Sequence, residues 1–266
     1  MNESPTKAFL RPGKVFLLAL AGVLIYTGAL VAMVPAGWLW QQAQGRVALP
    51  PEVQVKQITG KLWDGVAGLS IAGFPVRAEW ALGAPSLSTL ALPVDFSLST
   101  AGSYMRGDAL VSWPGSGEVR ASGTIGVAEF EPLIRRSGGA VIEGEVTIDL
   151  LNLAWVDQAL TQADGLGRWG GGAVTWPMGN NNQGRADFPP MRATLDSTSD
   201  GITLVVAEED GDGPAAAVDI RWTGMMDLRV YKRMVDLAQQ PWPDSARADD
   251  VVFRVRQPLI PGGALR

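Results

Sequence analysis

Hydrophobic and polar positions alternate differently in two parts of the chain. Residues 15–34, VFLLALAGVLIYTGALVAMV, run for 20 positions without one charge. At about 1.5 Å per residue, a helix of that length spans roughly the 30 Å of hydrocarbon in a bilayer, which predicts a transmembrane anchor carrying Val15, Leu20, Ile25, Leu30 and Val34. From Val66 onward the period drops to 2. Leu69 and Ile71, then Val76, Ala78, Trp80 and Leu82, place apolar side chains on alternate positions and break at Phe74-Pro75. That pattern is a β-hairpin with each strand half buried. Leu90–Ser99 repeats it through Leu92, Val94, Phe96 and Leu98. Further strands are expected at 109–113, 118–125, 141–150, 173–176, 191–195, 202–207, 216–222 and 251–255. Helical periodicity is confined to 127–136, interrupted by Pro132, and to 228–239, where Leu228, Tyr231, Met234, Val235 and Ala238 form one stripe.

These elements predict a mainly β protein: an N-terminal transmembrane helix, then antiparallel, curved sheet in two similar halves, with one or two short helices. The divisions expected are a tail over 1–14, an anchor over 15–36, a connector over 37–57 containing Pro50 and Pro51, and a β domain over 58–266. Abundant glycine (32) and proline (18) agree with many short strands and tight turns.

Charge orients the anchor. Lys7, Arg11 and Lys14 precede the apolar run against Glu3 alone, so the positive-inside rule keeps the N-terminus in the cytoplasm and sends the β domain across the inner membrane. Trp38 and Trp40 follow where amphipathic rings favour the headgroup region. A cleaved signal peptide is the competing reading, but its apolar region is usually about 7–15 residues, and Val34-Pro35-Ala36-Gly37 is only a fair cleavage match. The tail carries +2 of the total charge of −5, leaving −7 beyond it. An acidic domain repels phosphate backbones, which argues against nucleic acid as a partner.

Composition removes much chemistry. With no Cys and no His there is no thiol nucleophile, disulfide, catalytic triad or imidazole-ligated metal. Three motifs invite a chemical reading. Glu208, Glu209, Asp210 and Asp212 lack the later Glu of a calcium loop and read as a hairpin tip. Gly165, Gly167 and Gly170 fit a dinucleotide spacing, but a strand and Pro177 follow instead of a helix, so a turn or a close backbone approach explains them better. The ten Trp residues, Trp63, Trp80, Trp155, Trp176 and Trp222 among them, sit in or beside strands where packing is the default role. No catalytic, cofactor-binding or metal-binding residue is assigned, and no small-molecule substrate is implied.

The segment Ile58-Thr59-Gly60-Lys61-Leu62-Trp63-Asp64-Gly65, followed by Leu69, Gly73, Trp80, Pro85 and Leu87, resembles the opening signature of type II secretion system protein N, the GspN family. Gly144–Leu150 with Leu153 and Trp155, then Gly172-Ala173-Val174-Thr175-Trp176, and finally Tyr231, resemble its later blocks. Lys61 replaces the usual Thr, and the cysteine pair of many relatives is missing. The resemblance implies a non-catalytic accessory component of the inner membrane that helps move folded proteins from the periplasm outward. Its partners would be other inner-membrane or pseudopilus components, with the bilayer contacted through the N-terminal helix. A distant likeness to AsmA-like proteins supplies the alternative, a lipid- or envelope-handling module with an apolar groove. A cell-wall hydrolase is a third reading without a defensible pair of carboxylates.

Overall fold

The computed structural model describes residues 12–46, 49, 53–86, 88, 90–136, 140–157, 159–178, 182–243 and 245–258. The tail expected over 1–14 lies mostly outside them. Helix α1, Pro12–Ala32, takes up most of the uncharged run. Its Pro sits in the first turn, where no amide hydrogen is needed. Phe16, Leu18, Val23, Tyr26 and Met33 are each more than 60% exposed, and Leu20 and Leu30 are exposed with them. Val34 is half-buried, and the side chains of Val15 and Ile25 lie outside the described residues. Among the described residues, no helix is long and apolar enough to cross a membrane. After Pro35 the chain forms α2, Ala36–Ala43.

The strands follow as β1 Val53–Gly60, β2 Asp64–Ile71, β3 Phe74–Leu82, β4 Ala91–Ser99, β5 Tyr104–Ser112 and β6 Ser116–Gly126. A 3-10 turn, Val127–Phe130, leads into α3, Glu131–Arg136. Then come β7 Val141–Ile142, β8 Glu145–Val156, β9 Ala159–Trp169, β10 Gly172–Pro177, β11 Gln183–Phe188, β12 Met191–Thr198, β13 Gly201–Glu208, β14 Pro214–Arg221 and β15 Met225–Tyr231. Helix α4, Lys232–Leu237, precedes β16, Val251–Pro258.

All strand pairs are antiparallel. Thirteen strands form one sheet in the order β1 to β6, β8, β9, then β12 to β16, while β11, β10 and β7 form a second, three-stranded sheet. The described strands therefore divide thirteen and three. Most neighbours in space are neighbours in sequence and are joined by short hairpins, whereas β6 to β8, β9 to β12 and β15 to β16 are joined by longer connections that carry α3 and β7, β10 and β11, and α4.

Register explains the two faces of the large sheet. Directly opposed residues run Gly60, Gly65, Trp80, Phe96, Gly107, Ala121, Leu151, Gly165, Leu195, Leu204, Val218, Leu228 and Val255 across every strand. The adjacent row runs Asp64, Ala81, Asp95, Asp108, Arg120, Asn152 and Asp164. Successive side chains point to opposite faces, so one face is apolar and the other charged.

Burial on the apolar face follows from what lies over it. Trp169, Met191 and Ala215 are buried where Ile142, Val174 and Phe188 of the small sheet and Met234 and Leu237 of α4 pack against them. Phe130 of the 3-10 turn meets Phe74 at 5.3 Å between ring centres. Towards β2–β6 the buried positions on this face are small, such as Ala67 and Ala121, while Trp80, Phe96 and Leu98 are only half-buried.

Four expectations change. The connector over 37–57 contains α2 and the start of β1. The expected helix over 228–239 is β15 followed by the shorter α4. The glycine-rich stretch 165–172 is the second half of β9 and the turn into β10. A further strand, β11, lies at Gln183–Phe188, where none is expected.

Candidate functional site

The signature residues near the N-terminus meet at one corner of the sheet. Gly60 closes β1 with φ +91, a left-handed conformation open to glycine at no steric cost, and an added Cβ would lie 2.6 Å from the Asp64 carbonyl oxygen. The Lys61 amide donates to the Asp64 carbonyl at 2.7 Å, which makes the turn into β2. The Leu62 amide donates to the carbonyl of Val34 at 3.0 Å, tying the turn to the chain just after α1. Pro35 bridges to Lys61, and α2 sits so close to β1 that a Cβ on Gly37 would lie 2.9 Å from the Ile58 carbonyl oxygen. The Trp80 indole donates to the Leu62 carbonyl at 2.9 Å, and the Leu82 amide donates to that of Trp63 at 2.6 Å. Gly60, Leu62, Trp63, Asp64, Gly65 and Trp80 thus form one unit that joins α1 to the sheet.

Pro85, Trp155 and Trp176 lie elsewhere. Pro85 is exposed in the connection from β3 to β4. Trp155 and Trp176 share with Trp80 a motif that strand-by-strand reading did not find. Each indole lies over the glycine directly opposite on the next strand: Trp80 over Gly65, Trp155 over Gly117, and Trp176 over Gly184, with Phe96 over Gly107 as a fourth case. An added Cβ at any of these glycines would overlap the ring. The sequence signal is a Trp or Phe paired in register with a Gly on the adjacent strand, and it needs the register before it can be read.

On the charged face a groove of about 890 Å³ crosses β2–β6 and β8. Its walls include Arg77, Glu79, Asp95, Arg106, Asp108 and Arg120. Arg77 and Glu79 form an ion pair at 2.7 Å, and Asp149, at the groove's edge, accepts from Arg168 at 2.8 Å. Further along, Asp227 accepts from Arg254 Nε at 2.8 Å and Arg256 Nε at 2.9 Å, while Asp219 pairs with Arg229 and accepts from Thr203 at 2.9 Å. Asp219 and Asp227 stand directly opposite on β14 and β15, and the three arginines offset their repulsion.

The electrostatics are those of ionised, fully paired carboxylates. Hydrogen bonding from Arg254 holds the Asp227 carboxyl well below the usual range, against its partial desolvation. Hydrogen bonding from Arg168 lowers that of Asp149. Glu129 is lowered chiefly by Thr100, whose hydroxyl donates at 2.6 Å, with Ser103 at 2.9 Å and the Gly102 amide at 3.2 Å. That carboxylate pins the turn between β4 and β5 to the 3-10 turn. All three move downward, so each is held in its ionised, hydrogen-bond-accepting form. Among the described residues, no cluster of carboxylates has metal-site geometry. The acidic stretch 208–213 is the tip between β13 and β14, as its composition suggests.

A family model described as type II secretion system (T2SS), protein N, matches residues 51–241. The match runs from β1 through α4. Neither a curated protein nor a solved structure matches the chain.

Proposed function

We infer the protein's role from its family: the chain belongs to the type II secretion system protein N family, matched over residues 51–241, and it acts as an accessory component of that secretion machinery. The action is association with other components of the machine and not turnover of a substrate. The family match carries this reading. The paired state of Asp149, Asp219 and Asp227 supports it, because ion-paired carboxylates hold a sheet together and offer no free acid or base.

Within that role, α1 anchors the protein in the inner membrane in a single pass, with the N-terminus cytoplasmic and the sheet periplasmic. The uncharged run over 15–34, the helix over Pro12–Ala32 and its exposed apolar side chains support the anchor. The basic residues before it support the orientation. Removing the gene from its host and restoring it tests the role, with secreted exoprotein and crosslinked partners as readouts. Restored secretion together with co-purified secretion components is expected. Secretion that is unaffected by the loss would overturn the reading.

The AsmA-like alternative rests on one observation, the half-buried apolar side chains over β2–β6. Against it, the groove itself is on the charged face. Mass spectrometry of lipids that survive purification separates the two, since a lipid carrier retains a stoichiometric lipid and a docking subunit does not.

A further inference from the structure

The first turn of the large sheet is tied to the end of α1, with the Leu62 amide on the Val34 carbonyl and Pro35 bridged to Lys61. In an antiparallel meander the hairpins alternate between ends. The turns 61–63, 83–90 and 113–115 therefore share the end at which the chain leaves α1, whereas 72–73, 100–103 and 208–213 lie at the other. A chain of backbone hydrogen bonds runs along the near end. Leu62 donates to Val34, Leu82 to Trp63, Gly83 to Pro93, and Ser86 and Ala91 to each other. Finally Trp113 donates to Leu90 at 3.0 Å.

That rim exposes large apolar side chains beside the small polar Ser86 and Ser88, and the first acid at it is Asp64, where β2 begins. Trp113 is 77% exposed and Leu90 57% exposed, although both are large hydrophobic residues. The three turns contain no Asp or Glu, and their only charge is Lys61. In α2, which has no charge at all, Trp38 is also exposed. The acidic stretch 208–213 is at the opposite end. A solvated turn would normally carry polar residues, and an acidic one would be repelled by anionic headgroups. This distribution instead matches the headgroup boundary of a bilayer, where Trp is enriched. Strands are spaced about 4.8 Å apart, so Trp113, just after β5, lies roughly 19 Å along the sheet from β1. The region stops at β6, because the next turns at this end carry Asp157 and Asp200.

We propose that the rim formed by Ser88, Leu90 and the turn 113–115, with α2, inserts into the headgroup–acyl boundary of the bilayer that holds α1, so that the sheet stands on the membrane over β1–β6. The inference rests on the anchor reading above. Its effect is to fix the sheet's direction, placing the charged groove upright and not free to swing on a tether.

The absence of cysteine makes the test direct. The full chain with one introduced cysteine, at S88C, W113C, D212C or Y26C, is spin-labelled and reconstituted into vesicles of phosphatidylethanolamine and phosphatidylglycerol. Each label is then measured for collision with oxygen, which partitions into lipid, and with a water-soluble nickel chelate. Labels at 88 and 113 are expected to favour oxygen, as at 26, and the label at 212 to favour nickel. If 26 favours oxygen while 88 and 113 match 212, the rim proposal is wrong and the anchor stands. If 26 favours nickel, the anchor reading fails and takes the proposal with it. S88C changes one exposed hydroxyl, so it remains informative if W113C folds poorly.

Discussion

Trp80 shows how one side chain does two jobs that its sequence position only hints at. Its ring covers Gly65 and its indole nitrogen holds the Leu62 carbonyl at 2.9 Å. Trp80→Ala should lower stability by about 2–4 kcal/mol, near the lower part of the range for a large aromatic because the ring is only half-buried. Trp80→Phe keeps the cover and loses the hydrogen bond, so a loss of about 1 kcal/mol is expected. Denaturant titration of the two variants separates the contributions, and equal losses would show that the ring contact is unimportant. Asp227 allows a pH test. Its carboxyl is depressed in the folded protein, so its contribution is complete above the unfolded carboxyl value of about 3.9 and fades as pH falls toward the folded value. The Tm gap between wild type and Asp227→Asn should therefore be widest above about pH 4 and narrow below it. A gap independent of pH would mean that the arginine pairs contribute nothing to stability.

At the scale of elements, strands that alternate cleanly could be read from sequence, and those that fail carry a reason. Leu90–Ser99 alternates without interruption and became β4, one residue shorter. The start of β1 reads as connector from the sequence because Pro50 and Pro51 precede it, although Val53 and Val55 already alternate. β9 was hidden by Gly165 and Gly167. Gly165 is small because the Leu150 carbonyl oxygen and Leu195 crowd it, at 3.1 and 3.5 Å from an added Cβ. The helix expected over 228–239 failed because Leu228 belongs to both patterns. Met226, Leu228 and Val230 alternate as β15, and pairing with β14 and β16 decides between the two. The corner unit was legible as a motif, but its link to Val34 was not, since that contact crosses 28 residues of sequence. Its hairpin makes a controlled test. Gly60→Ala forces an alanine into φ +91 and against the Asp64 carbonyl, and should cost about 1–3 kcal/mol. Gly68→Ala, in the same hairpin with only the Gln57 carbonyl oxygen 4.0 Å from an added Cβ, should be neutral or slightly stabilising. Thermal unfolding that ranks the two alike would remove the special role of Gly60.

The whole molecule is close to a single layer, and this decides what its charged groups can do. Among the described residues, large side chains are buried under a second layer at β8–β14, so the thirteen-stranded sheet relies elsewhere on cross-strand pairs along both faces. Carboxylates on the charged face then serve as ladder rungs: Asp149 with Arg168, Asp219 with Arg229, and Asp227 with Arg254 and Arg256. Replacing a rung with its amide weakens the sheet locally but removes no reaction step. An enzyme dependent on one carboxylate behaves oppositely, since the amide abolishes turnover while the protein still folds and assembles. An Asp→Asn scan over Asp64, Asp95, Asp108, Asp149, Asp219 and Asp227, read as secreted exoprotein at matched protein levels, distinguishes the two. Small losses are expected, largest at Asp149, Asp219 and Asp227 and in step with lowered Tm. Exposed Asp95 and Asp108, which face each other across β4 and β5, should lose nothing, because each amide also relieves a like-charge contact. A single variant that folds, reaches normal levels, joins its partners and still secretes nothing would replace association with catalysis as the protein's mode of action.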